Sequence, residues 1–173
     1  MGRGAEIEDE LNQFVAGRYL ALRRTAYLLC GDWHRAEDLV QGTLIKVVVA
    51  ARRRRIDSLD AYARQVLLRL FLEENRRLWR KREKSWPELV DLTGVTEDND
   101  TRMSVLAALR GLPPKQRAAV VLRYWEDRSV EETAAMLGVA PGTVKSQCAK
   151  ALAALRVVLQ DDRFALGMSP KRA

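Results

Sequence analysis

Histidine and cysteine are almost missing from this 173-residue chain: His34 is the only histidine, and cysteine stands only at positions 30 and 148. Two cysteines so far apart make neither a disulfide framework nor a zinc-ligand spacing, and both read as small buried hydrophobes. A single histidine builds no metal site and no proton relay, so His34 reads as a surface helix residue. No apolar run approaches the roughly 18–20 residues that span a bilayer. The opening MGRGAEIEDE is acidic and carries no apolar signal segment. A reducing cytoplasm, away from any membrane, is the compartment these absences imply. Glycine-rich phosphate loops are missing too, as is any nucleophile paired with a base. Glu37 and Asp38 are neighbours, so on a helix they point about 100° apart and form no acid–base pair. The chain therefore offers no catalytic residue, no metal ligand set and no cofactor site.

What is present is charge and helical periodicity. The hydrophobic share is 47%, enough to bury a core, and the formal net charge is +7. Residues 1–82 hold 17 Lys and Arg against 11 Asp and Glu, and residues 102–173 hold 12 against six. Between them, residues 83–101 hold one Lys against six acids, with Pro87 and Gly94. Two basic blocks around an acidic linker point to two polyanion-binding modules. The expected architecture is all-α: a domain over 1–82, a linker over 83–101, a second domain over 102–160, and a flexible tail over 161–173.

The second block contains a helix-turn-helix, within LPPKQRAAVVLRYWEDRSVEETAAMLGVAPGTVKSQCAKALAALR. Ser129 with Glu132 three residues later is a capping box that starts a helix running to Leu137. Gly138 suits the positive φ that ends it, Val139 and Ala140 make the turn, and Pro141 opens the next helix. Wound at 100° per residue, that helix turns Val144, Cys148, Ala151, Leu152 and Leu155 to the core. Gly142, Ser146, Ala149 and Lys150 lie opposite, flanked by Thr143, Lys145 and Gln147. A small, polar, cationic face is what a helix needs to approach base edges and phosphates. The candidate reading residues are Thr143, Lys145, Ser146, Gln147 and Lys150.

The first block reads as three helices. Leu11, Phe14, Val15, Tyr19, Leu22, Ala26 and Leu29 recur at helical spacing; Gly31 stops that helix and Asp32 caps the next. The second helix carries Ala36, Leu39, Val40, Leu44, Val47 and Val48 around more than one face, which fits either a central position or a docked partner. Arg52, Arg53, Arg54 and Arg55 break the pattern, and Ser58 or Asp60 can cap a third helix over 61–82. It buries Val66, Leu67, Leu70 and Phe71 and projects Arg64, Arg69, Arg76, Arg77 and Arg80. Tyr62, beside the arginine loop, is placed to stack an unpaired base, whereas Phe71 reads as core. Trp79 fits either role.

AEDLVQ at residues 36–41, the arginine loop, the basic third helix, the acidic linker and LPPKQR…GTVKSQ stand here in that order. Over roughly residues 8–158 the chain resembles an extracytoplasmic-function sigma factor, a small two-domain member of the bacterial sigma-70 family. The resemblance implies a sigma-2-like bundle and a sigma-4-like helix-turn-helix domain, with core RNA polymerase and promoter DNA as partners. It implies that Asp38, Leu39, Val40 and Gln41 dock on the polymerase. It further implies that the loop of Arg52, Arg53, Arg54 and Arg55, with Tyr62, opens the −10 region and holds a flipped base. Arg64, Arg69 and Arg76 would then track phosphates, and the C-terminal helix would read the −35 element. Such factors are often held inactive by an anti-sigma protein, although no residue here identifies one. Gly42, Arg69, Leu70, Gln147 and Cys148 depart from the usual family pattern. The rival reading is a dimeric helix-turn-helix regulator with a sensing N-terminal half. AEDLVQ and the loop with its basic helix speak against it, because a sensor has no need of them.

Overall fold

The computed structural model describes residues 2–84 and 100–165, and every regular element among them is helical. Helix α1 covers Gly2–Cys30, α2 Trp33–Arg53 and α3 Leu59–Lys84, which together form the first unit. The second unit contains α4, Asp100–Gly111; α5, Pro114–Val120, running on into a π turn at Val121–Trp125; α6, Val130–Leu137; and α7, Pro141–Ala165.

Local chemistry explains most boundaries. Gly31 has a φ of +71° and ends α1, and the Asp32 carboxylate then accepts from the Arg35 N–H to cap α2. Ser58, not Asp60, caps α3, its hydroxyl accepting from the Ala61 N–H at 3.2 Å. At α6 the capping box closes in both directions: the Ser129 hydroxyl accepts from the Glu132 N–H, and the Glu132 carboxylate accepts from the Ser129 N–H. The second bond holds the Glu132 carboxyl below the usual carboxylate value. Gly138 sits at φ +65° in the αL cap that ends α6. Helix α1 begins well before the apolar pattern at Leu11, and its first turn carries no acid. Helix α7 continues to Ala165, so residues 161–165, expected in the tail, are helical. Of the expected linker, residues 85–99 lie outside the described residues, as do residues 166–173 of the expected tail.

The two units share one apolar core. Leu22, Ala26 and Leu29 of α1, Val40 and Val47 of α2, and Leu67 and Phe71 of α3 pack in the same cluster as Ala118, Val121 and Leu122. Phe71 is fully buried, as its spacing predicts, and both cysteines are buried. Arg117 lies within this shared core. It donates to the Leu29 carbonyl at 2.5 Å, the Arg110 carbonyl at 2.7 Å and the Leu112 carbonyl at 3.0 Å. Loss of hydration on burial lowers its pKa to about 10, which leaves it cationic at neutral pH. Replacing it leaves the buried Leu29 and Leu112 carbonyls without this donor. Arg117→Met should lower stability by about 3 kcal/mol, read as a lower urea midpoint with an unchanged m-value.

Candidate nucleic-acid interface

Two cationic surfaces and one mixed surface emerge from this packing. On α7, Val144 and Ala151 are fully buried and Cys148 is 7% exposed, which anchors the helix by the face assigned to the core. Thr143, Lys145, Ser146 and Lys150 are therefore exposed, while Gln147 is half-buried. Ala134 at 4% exposure lets α6 and α7 cross closely, and Val139, Val130 and Leu137 pack beside it. The outward side chains are hydrogen-bond donors and acceptors with two cations, suited to a major groove about 12 Å wide.

The second surface lies between the end of α2 and the start of α3. Arg52, Arg53, Arg54 and Arg55 are all exposed. Arg53 and Arg54 line a groove of about 470 Å³ together with Tyr62, Arg69 and Lys46, and Ile45, Val49, Val66 and Leu70 line it too. The Arg54 guanidinium stands over the Tyr62 ring at 5.2 Å from its centroid. Arg52, Arg53, Arg54 and Arg55 all line a wider cleft of about 780 Å³ against Glu6, Ile7, Glu10 and Leu11 of α1. Glu8 of that helix holds Arg52 at 2.6 Å. Tyr62, Arg69 and Arg76 stand seven residues apart on α3 and form one stripe, each step about 10.5 Å. Lys46 is a cation that sequence reading missed; its only signal was a charge interrupting the apolar run of α2.

Arg64 is not part of that stripe. It lies about 200° around α3 from Tyr62, with only 12% of its side chain exposed. It pairs with Asp60 at 3.0 Å and with Glu126 of the second unit. The expectation that it follows phosphates beside Arg69 and Arg76 is thus not met in this arrangement, because α3 turns it inward.

The third surface is the outer face of α2. Leu39 is 7% exposed and Val40 fully buried, so these two side chains pack the core instead of meeting a partner. The wide apolar band of α2 is explained by its place between α1 and α3, which it contacts on both sides. Exposed Asp38 and Gln41 share their face with Ile45 and Val49, which are 63% and 44% exposed. The sequence pattern did not separate these last two from the buried valines around them. Gly42 sits on the α3 side, where an added Cβ would approach the Leu70 side chain at 3.4 Å. His34 is exposed, and no group of histidine, cysteine or carboxylate side chains among the described residues is arranged to hold a metal. No helix among them is long and apolar enough to cross a membrane.

Comparison with known proteins follows the same division. Residues 15–81 match the family model "Sigma-70 region 2", and residues 102–155 match "Sigma-70, region 4". The chain is 37% identical over 170 residues to the RNA polymerase sigma-E factor of Streptomyces avermitilis, covering 92% of this chain and 89% of that protein. It is 31% identical over 149 residues to the ECF RNA polymerase sigma factor SigM of Mycobacterium tuberculosis, covering 86% of this chain and 76% of that one. The sigma factor RpoE of Bartonella quintana, solved in complex with the anti-sigma factor NepR, superposes with a TM-score of 0.70 at 29% identity. That superposition covers 89% of this chain and 99% of RpoE.

The outward Lys150 yields a direct test. Lys150→Ala should weaken binding to duplex DNA and reduce the slope of log affinity against log salt by about 0.9, as measured by fluorescence anisotropy.

Proposed function

The chain belongs to the extracytoplasmic-function group of the sigma-70 family, and from that premise we propose how its surfaces divide the work of starting transcription. It is a sigma factor that binds core RNA polymerase and directs it to promoters through −35 and −10 elements. The observation that carries the division is the coincidence of the two family regions with the two exposed cationic surfaces. A helix-turn-helix regulator with a sensing half is disfavoured, because residues 15–81 match sigma-70 region 2.

In this reading Thr143, Lys145, Ser146 and Lys150 contact the −35 duplex, with Gln147 at the margin. Lysines fix the register on phosphates, while the small polar side chains come near base edges. The groove between α2 and α3 receives the −10 strand. Unstacking a base costs a few kcal/mol, and stacking on Tyr62 returns about 1–3 kcal/mol. Arg53, Arg54, Arg69, Arg76 and Lys46 offset the phosphate charge around it. Arg52 and Arg55 supply the adjoining cleft. Asp38 and Gln41, continued by the exposed Ile45 and Val49 at the edge of the groove, form the surface offered to core polymerase, polar at one end and apolar at the other. Leu39 and Val40 support that surface from beneath.

The protein performs no bond chemistry of its own; phosphodiester synthesis belongs to the polymerase. Its place of action is the cytoplasm. RpoE is bound by an anti-sigma factor, and we extend that class of partner to this chain as its regulator.

Run-off transcription with sigma-free core polymerase tests the whole reading. Adding this protein should produce RNA 5′ ends that share two upstream motifs, and their absence would refute the assignment. In the same assay, combining Asp38→Ala with Gln41→Ala should raise the protein concentration needed for half-maximal transcription on the order of tenfold, equivalent to about 1.4 kcal/mol of docking free energy. Duplex binding by the free protein should be unchanged.

A further inference from the structure

The arginine loop is charged differently on its two sides. On the groove side, Arg53 and Arg54 stand with Lys46 and Arg69 against the single carboxylate of Glu73. On the cleft side, Arg52, Arg53, Arg54 and Arg55 meet Glu6 and Glu10 of α1, with Asp57 lining the same space. Glu6 and Glu10 are one turn apart and so share a face of α1. Leu11, beside them, is 4% exposed and belongs to the core cluster, which fixes this stretch of α1 against the loop. Glu8, on the flank of that face, accepts from Arg52 at 2.6 and 3.0 Å. All three glutamates are exposed, as is Asp9. Asp9, however, lies about 150° around the helix from the middle of that face, and it does not line the cleft. Neither polymerase docking nor −35 reading uses these acids.

Nucleic acid laid on the loop meets these two sides unequally. A duplex carries one charge per about 1.7 Å of its axis, and each strand alone one per about 3.4 Å. Arg53 and Arg54 line both spaces, so groove and cleft adjoin. A single strand can follow the groove past Tyr62 and Arg69 and keep its phosphates away from α1. A duplex brings a second row of phosphates toward the cleft, where the carboxylates repel it and Glu8 already holds Arg52. Specificity is a difference of two affinities, and repelling the competitor widens it as well as attracting the ligand does.

We propose that Glu6, Glu8 and Glu10 determine specificity at the arginine loop, making it favour a single strand over a duplex and so reserving it for promoter DNA that has been opened. This deepens the −10 reading and rests on the groove receiving that strand. The three carboxylates touch no base; they act by lowering the affinity of the competitor. The Arg52 and Glu8 side chains are 58% and 50% exposed, and so exposed a pair contributes little to folding. The acids can therefore be neutralised without unfolding the chain.

The test uses the full chain with Lys145→Ala and Lys150→Ala in place, which suppresses duplex binding at α7. Fluorescence anisotropy compares two short probes of one arbitrary sequence, the first single-stranded and the second duplex. Neutralising all three acids (Glu6→Gln, Glu8→Gln and Glu10→Gln) should raise duplex affinity on the order of fivefold and single-strand affinity by less than about twofold, as charges interacting across water would. The gain should shrink between about 0.01 and 0.15 M salt, as the screening length falls from about 30 to 8 Å. Asp9→Asn, which removes the same charge from the far side of the helix, should leave the ratio of the two affinities unchanged. An equal rise for both probes, no rise for either, a gain indifferent to salt, or the same shift in ratio from Asp9→Asn overturns the proposal. Combining Arg53→Ala, Arg54→Ala and Tyr62→Ala tests the reading beneath it. If single-strand binding survives that change, the groove is not the −10 site and both fail. If it is lost while the glutamine variant keeps the parent's ratio, only the role of the three glutamates fails.

Discussion

The guanidinium of Arg117 is buried between the two halves of the chain, and the carbonyls it reaches determine how those halves meet. It donates to Leu29 at the end of α1, and to Arg110 and Leu112 at the end of α4. Carbonyls at a helix C-terminus lack intrahelical partners and carry partial negative charge. One cation therefore serves two helix ends that come from opposite sides of the linker. The Arg110 side chain lies over Gly31, where an added Cβ would come within 2.4 Å of it. Once Arg117 is fixed, α5 has little freedom, and the π turn that follows delivers Glu126 to α3. The buried charge carries a desolvation cost, visible in its lowered pKa, which the three carbonyls and the Phe71 ring beneath it offset.

Features encoded by neighbouring residues were legible in the sequence. The capping box, the αL glycine and the proline at the start of α7 lie within 13 residues of one another, from Ser129 to Pro141. Their physics is local, so the helix-turn-helix and its outward face could be drawn before any packing was considered. The α2 face was only half legible. Its run of valines and leucines has no clean period, and which of them remain outside depends on where α1 and α3 press. Val47 is buried while Val49 is exposed, two residues away. Arg64 was legible as a cation but not as a partner of Glu126. The two residues stand 62 positions apart, and no pattern of spacing announces a contact of that range. The π turn was invisible for a related reason: VLRYW has the composition of an ordinary helix.

Arginine serves three different ends here. On the loop after α2 it is exposed and multiplied, which suits a polyanion. At Arg54 it lies against an aromatic face, which orders the ring it shares with the groove. At Arg64 it is largely buried and paired with carboxylates. At Arg117 it is buried with its two terminal nitrogens on three carbonyls, while its Nε has no partner. A count of positive charge cannot distinguish these uses, since each adds the same unit to the net +7. Burial and the identity of the acceptor distinguish them. The basic character of the chain therefore overstates what is offered to nucleic acid and understates what ties the molecule together.

Ionic strength acts unequally on these uses. An exposed contact to phosphate is strongly weakened by salt, because binding releases counterions condensed on the DNA. A pair as buried as Arg64 and Glu126 is screened much less. Salt therefore weakens what the exposed loop arginines offer to a polyanion, while the buried ties between the two units are left nearly untouched.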